Sequence, residues 1–179
     1  MTNSPFSFIL ITKDKTMDIT ITNSISAEEY LGLRQAVGWS VFPLEQAESG
    51  LQNSHVICFR DKEKAVALGR VIWDHGYSVL ISDVIVAPEY QGVLGRWRPV
   101  FNSKALKKLR KQFLALPLLL GRKLMEAIMS YLRSLLKPGY RIMISLMAAE
   151  NKQGFYKKFG FIERPSELFG PGMHQWIEY

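Results

Sequence analysis

The sequence predicts an α/β (α+β) fold, a mixed and mostly antiparallel sheet of six to seven strands flanked by helices. Three observations carry that expectation. Apolar and β-branched runs at about 55–60, 66–73 and 77–86 are joined by the polar turns Asp61-Lys62-Glu63-Lys64 and Asp74-His75-Gly76, the pattern of an antiparallel meander. Ser26-Ala27-Glu28-Glu29 is a Ser-x-x-Glu capping box that starts a helix carrying Tyr30, Leu31 and Leu33. Leu124, Ile128, Tyr131, Leu132 and Leu135 recur at helical spacing before Lys137-Pro138-Gly139, and a further strand follows at Ile142–Met147. A strand, helix, strand order needs a crossover, so Val84–Val86 and Ile142–Leu146 are expected to run parallel.

Taken in order, residues 1–16 have no clear period and read as an N-terminal tail, and the folded part is expected to begin near Met17 with the alternating Asp18-Ile19-Thr20-Ile21-Thr22. Gly38 ends the first helix. A second short helix runs from about Leu44 to Leu51, and Trp39 and Phe42 lie between the two. The run 82–87 is stopped by Pro88, which has no N–H to donate to a ladder. Gly170-Pro171-Gly172 and the residues to Glu178 would supply the last strand. At 179 residues, 47% of them hydrophobic, the chain is expected to fold as a single domain over 17–179.

The formal charge of +7 resides in one stretch. Residues 93–119 hold Arg96, Arg98, Lys104, Lys107, Lys108, Arg110 and Lys111 and no acid, which leaves sixteen basic against sixteen acidic residues elsewhere. A nucleic-acid partner is therefore not expected for the domain itself. No run reaches membrane-spanning length and Phe6–Ile11 is too short for a signal sequence, so a cytoplasmic location is the default. The single cysteine, Cys58, reads as a small core residue. His55 and His75 have no spacing to an acid or cysteine that suggests a metal site.

A strand that feeds a glycine turn and then a helix N-terminus makes an anion seat, because free N–H groups and the helix dipole converge there. The strand ending at Val86, then Pro88-Glu89-Tyr90-Gln91-Gly92, then Gly121-Arg122-Lys123-Leu124-Met125, resembles the acetyl-CoA signature of the GCN5-related N-acetyltransferases (GNAT family). Asn151 to Phe161, with Tyr156 and Gly160-Phe161, resembles a second element of that family. The match spans about Asp18 to Tyr179. The family's loop reads Gln/Arg-x-x-Gly-x-Gly/Ala, and here the third position after Gln91 is Leu94 and the fifth Arg96. Residues 93–119 thus look like an insertion in the phosphate loop.

What the resemblance implies is an acetyl-CoA-dependent transfer of an acetyl group to a primary amine of a small molecule, without a metal. Gln91, Gly92, Gly121, Arg122 and Lys123 would hold the diphosphate, and the main chain of Val84, Ile85 and Val86 would pair with the pantetheine arm and supply the oxyanion donor. Tyr156 would protonate the departing thiolate, its alternative being a tyrosine packed on the sheet. Asn151 would hold a strand end or a water beside the cofactor, or serve as a helix N-cap. Asp83 is the first candidate for the base, with Glu150, His174 or a chain of waters as alternatives. The family walls its acceptor pocket with the two short helices, so Trp39 and Phe42, together with His174 and Trp176, could line an apolar site for the amine, or simply pack on the sheet. Pairing of two copies through a shared C-terminal strand is common in proteins of this look.

Within the insertion, Ser103 could cap a basic amphipathic helix bearing Leu106, Leu109, Phe113 and Leu116, suited to an acidic surface or to no selected role. The seat forms only if the insertion leaves as a closed excursion. If Pro117 instead opens a longer helix, the Gly121 amide is consumed inside it and the seat is lost. The rival to the enzyme is therefore a catalytically inactive domain of the same fold, at most a binding module.

Overall fold

The computed structural model describes residues 7–11, 16–91 and 116–177. Gly92, most of the basic insertion and the helix expected from Ser103 lie outside the described residues. The chain divides by internal contacts into residues 1–145 and 146–179, where the sequence suggested one domain. Among its described residues the second unit holds one short helix.

In the first unit the elements are β1 (Ser7–Ile11), β2 (Thr16–Thr22), α1 (Ala27–Ala36), α2 (Leu44–Gln52), β3 (His55–Asp61), β4 (Lys64–Trp73), β5 (Ser78–Val86), α3 (Pro88–Gln91) and α4 (Leu116–Ser134). β6 (Met143–Leu146) spans the division, and α5 (Gln153–Lys157) lies in the second unit. The six strands form one sheet in the order β1-β2-β3-β4-β5-β6, and the first four pairings are antiparallel. The expected meander is present, and β6 lies beside β5.

Two expectations are corrected. Residues 7–11 are a strand paired with β2, Ser7 opposite Thr20 and Ile11 opposite Thr16. Ser-Phe-Ile-Leu-Ile lacks alternation, so its strand character comes from the partner and not from a period of its own. Residues 170–177 form no strand, and Met173, Trp176 and Ile177 are exposed. Gly-Pro-Gly at the start removes both a donor and conformational bias toward extension.

The capping box forms as the sequence requires. Glu29 N–H donates to Ser26 Oγ at 3.2 Å, and Ser26 N–H to Glu29 Oε2 at 3.3 Å. Glu29 also takes a two-pronged ion pair from Arg60, at 2.7 and 2.8 Å, which fastens α1 to β3. The helix stops where Gly38 adopts φ +77°, letting Trp39 N–H return to the Arg34 carbonyl at 2.9 Å.

α1 and α2 pack on one face of the sheet, through Ala27, Tyr30, Leu33 and Ala47 against Val56, Cys58, Leu68, Ile85 and Ala87. α4 packs on the other. Leu120, Leu124, Met125, Ile128 and Leu132 are all essentially inaccessible, and each such side chain contributes about 1.5–3 kcal/mol by leaving water. The helix approaches β4 at Gly69, where an added Cβ would lie 2.6 Å from Ile128 Cδ1 and 3.4 Å from Leu124 Cδ1. Because Ile128 is itself buried, Gly69→Ala is expected to destabilise the chain by about 1–3 kcal/mol through overpacking. The urea midpoint of that variant, read with an unchanged m-value, is the check. Among the described residues no helix is long and apolar enough to cross a membrane.

Candidate active site

The site is built on β5. Its register with β4 places Arg70 opposite Asp83, Gly69 opposite Val84 and Ala67 opposite Val86, then shifts so that Val71 faces Ile81. Ser82 is thus an extra residue, a bulge of the kind that re-aims neighbouring groups. Ala87 N–H donates to the Val66 carbonyl at 2.9 Å. Antiparallel alternation then turns the main-chain groups of Ile85 and Asp83 toward β4 and those of Val84 and Val86 toward the opposite edge.

β6 ends short of that edge. Met143 N–H donates to the Tyr77 carbonyl at 2.7 Å. Leu146 is three residues farther along, about 10 Å, whereas Val84 is seven residues beyond Tyr77, about 23 Å. The Gln91 side-chain amide donates to the Val86 carbonyl, so one outward group is occupied from within. Gln91, expected in the phosphate loop, caps the end of the strand that precedes it.

α3 is fixed at the mouth of the insertion. Tyr90 donates to Asp61 Oδ2 at 2.8 Å, and burial together with that carboxylate pushes its hydroxyl up to about 12. Lys64 pairs with Glu89 at 2.6 Å. α3 and α4 are in contact, so the helix after the insertion packs beside the segment that precedes it. The second condition of the sequence reading is not met. α4 begins at Leu116 with Pro117 in its first turn, where a missing N–H does no harm. The amide of Gly121 therefore falls inside the i→i−4 ladder and not at the helix terminus. Arg122 and Lys123, also expected at the diphosphate, are exposed and both pair with Glu126 at 2.9 Å.

Asp83, the first candidate for the base, is only 3% exposed and is clamped between two guanidinium groups. Arg34 Nη1 donates to Oδ1 at 2.7 Å, and Arg70 Nε donates to Oδ2 at 2.6 Å. Tyr30 donates to Oδ2 at 3.3 Å, its own hydroxyl raised by burial and by the Asp83 charge. Arg70 Nη2 also donates to Ser82 Oγ at 2.8 Å, pinning the bulge. Such a carboxylate holds α1, β4 and β5 together and is poorly placed to collect a substrate proton.

Arg34, Arg70 and Tyr30 were not singled out in the sequence. Arg70 could have been found from the β4–β5 hairpin, but only with the one-residue bulge at Ser82 included. Trp39 and Phe42, offered as walls of an apolar pocket, flank the Arg34 guanidinium, with ring centres 5.4 and 4.9 Å from Cζ. His55 stacks on Tyr131 at 3.6 Å, and burial lowers its pKa.

In the second unit Tyr156 is half-buried in a cluster with Phe155 and Phe161, ring centres 5.1 and 6.1 Å away. Burial raises its hydroxyl pKa. Asn151 is exposed with φ +60°, a conformation asparagine tolerates, and the N-cap of α5 is Lys152, which sets aside the capping alternative for Asn151. Glu150 and His174 are exposed. Among the described residues no group of His, Cys, Asp or Glu is arranged to hold a metal ion.

No model of a known protein family matches the chain. It is 28% identical over 174 residues to the uncharacterized N-acetyltransferase ycf52 of Pyropia yezoensis, covering 90% of this chain and 83% of that protein. The ycf52 protein of Porphyra purpurea is 25% identical over 171 residues, covering 88% and 81%. Among solved structures, a probable acetyltransferase of unknown function from meticillin-resistant Staphylococcus aureus is 26% identical with a TM-score of 0.64, covering 90% of this chain and 99% of that one. The GNAT family acetyltransferase of Streptococcus pneumoniae, at 24% identity and a TM-score of 0.57 over 89% and 96%, shares the fold. In sequence this chain is similar to proteins named as N-acetyltransferases, and its fold is that of the GCN5-related N-acetyltransferase structures.

Proposed function

We propose that the chain is an acetyl-CoA-dependent N-acetyltransferase acting on a primary amine of a small molecule. The observation that carries this reading is the end of the β5 edge beyond β6, where Val84 and Val86 turn main-chain groups outward and, apart from the Gln91 amide on the Val86 carbonyl, meet no strand among the described residues. An extended pantetheine arm can pair with such an edge as an added strand would. Bound there, acetyl-CoA supplies an acyl group activated as a thioester. The diphosphate end fits less well, since the Gly121 amide lies within α4. The grip on the cofactor accordingly rests on the β5 edge, with Arg122 and Lys123 as long-range positive charge.

The chain's own residues then have three tasks. An N–H on the outward side of β5 can donate to the oxyanion as it forms. Tyr156 gives its proton to the departing thiolate. Burial holds that proton on the ring oxygen at neutral pH, and a free thiol titrates near about 8.5, so the transfer is uphill, proceeds only as charge develops on the sulfur, and is completed when the phenolate takes a proton back from solvent. The amine, with an ordinary pKa of about 10, passes its proton to solvent through waters, because Asp83 is engaged by Arg34 and Arg70.

Two results are expected. Tyr156→Phe lowers kcat about 10²- to 10⁴-fold with little change in acetyl-CoA affinity, measured by thiol release and by calorimetry. With no enzymic base, kcat/KM of the wild-type chain rises about tenfold per pH unit toward the amine's own pKa. A plateau near pH 7 would instead point to a carboxylate or imidazole base.

One observation favours a second reading, a non-catalytic domain of the same fold: the start of α4 at Leu116. Calorimetry with acetyl-CoA on the full chain separates the two. Binding with thiol release in the presence of an amine supports the transferase, and the absence of binding overturns it.

A further inference from the structure

The cluster on the α1–α2 face sets two guanidinium groups against one carboxylate. Arg34 and Arg70 are only 11% and 15% exposed, so the excess positive charge is largely withdrawn from water. Neither arginine has a second acid as partner among the described residues. A buried charge left uncompensated is unfavourable, and a bound anion would complete the balance.

The donors show where the anion would sit. Arg34 spends Nε on the Ser40 carbonyl at 2.8 Å, and Nη1 on Asp83 at 2.7 Å and the Tyr30 hydroxyl at 3.2 Å. Its Nη2, with two N–H groups, donates to none of the described residues. Arg70 is more fully engaged, through Asp83, Ser82 and, at 3.4 Å, the Gly50 carbonyl. Arg34 is thus held rigidly on one edge and left open at one corner. That corner belongs to a side chain reaching the loop between α1 and α2, where Ser40 and Val41 are exposed and where Trp39 and Phe42 flank the guanidinium. The two N–H groups of an anchored, charged Nη2 suit an oxygen of a carboxylate or phosphate. Asp83, the anchor of the cluster, directly precedes Val84, whose main chain faces the open edge of β5.

We propose that Arg34, backed by Arg70, is a subsite for an acidic group on the acceptor, so that the preferred substrate is an amine that also carries a carboxylate or phosphate. This rests on the transferase reading above and narrows its substrate class.

Matched amines test it on the full chain: phenylalanine against phenethylamine, and O-phosphoethanolamine against ethanolamine. The anionic member of at least one pair is expected to have a kcat/KM about 10- to 100-fold higher, from one or two charge-assisted hydrogen bonds. Which pair shows the preference tells carboxylate from phosphate. The preference should vanish in Arg34→Gln and fall partway in Arg34→Lys, which keeps the charge but loses the anchoring through Nε and Nη1. Melting temperatures establish that both variants fold, and the lysine variant carries the test if the glutamine variant does not. Equal turnover of both members of each pair by the wild-type chain, or a preference undiminished in the folded variants, overturns the proposal. Calorimetry of the same amines without acetyl-CoA gives a readout independent of turnover. If the full chain neither binds acetyl-CoA nor releases thiol, the transferase reading fails and this arm alone decides: selective binding of an anionic amine, lost on substitution of Arg34, supports the subsite, and no binding overturns it.

Discussion

Asp83→Ala is expected to lower the stability of the chain by about 3–5 kcal/mol, among the largest effects of any single substitution outside the apolar core. The carboxylate is 3% exposed and is the common acceptor for Arg34, Arg70 and Tyr30, so its removal leaves two guanidinium groups facing each other in a water-poor site. At roughly 2–4 °C per kcal/mol for a chain of this length, the melting temperature should fall by about 6–20 °C. Asp83→Asn should do nearly as much harm, because it keeps the shape and loses the charge. Urea denaturation of both variants checks this. A loss below about 1 kcal/mol would mean that water reaches the arginines freely, and would return Asp83 to consideration as the base.

The second large effect concerns the insertion. A chain lacking residues 95–119 is expected to bind acetyl-CoA about 10- to 100-fold more tightly than the full chain, as calorimetry would show. The excision removes the turn of α4 that precedes Leu120, so that Gly121 becomes part of the first helical turn and its amide leaves the ladder. Each N–H so released toward a charged oxygen contributes about 1.5–3 kcal/mol, and one such bond suffices for the stated range. Binding by the shortened chain alone would make the full-length protein the non-catalytic domain of the second reading. Equal affinity of both forms would show that the diphosphate does not depend on Gly121 at all.

How far the sequence reached can be judged from particular residues. The meander, the capping box and the stripe Leu124, Ile128, Leu132 were legible because each is a local pattern with one period. β1 was not, since Ser-Phe-Ile-Leu-Ile acquires its conformation from β2 alone. The expected C-terminal strand failed for the converse reason, having apolar residues but no ladder partner among the described residues. At the site, the main chain of Val84, Ile85 and Val86 was expected to face the cofactor together, whereas strand parity turns Ile85 toward β4 and only Val84 and Val86 outward, and the Arg34–Asp83–Arg70 cluster depends on the register shift at Ser82. A bulge moves every later partner by one residue and leaves no mark in composition. The placement of Gly121 turned on whether a leucine-rich run behind Pro117 would continue a helix, a contest of propensity against loop closure that the motif alone did not decide.

The thiol of Cys58 has no accessible surface, and burial pushes it up to about 11. Thiolate is the form that attacks disulfide reagents, so the folded protein should be silent toward a colorimetric sulfhydryl titrant. Free coenzyme liberated during turnover can then be followed continuously against a flat baseline, and any stoichiometric signal from the polypeptide itself reports unfolding.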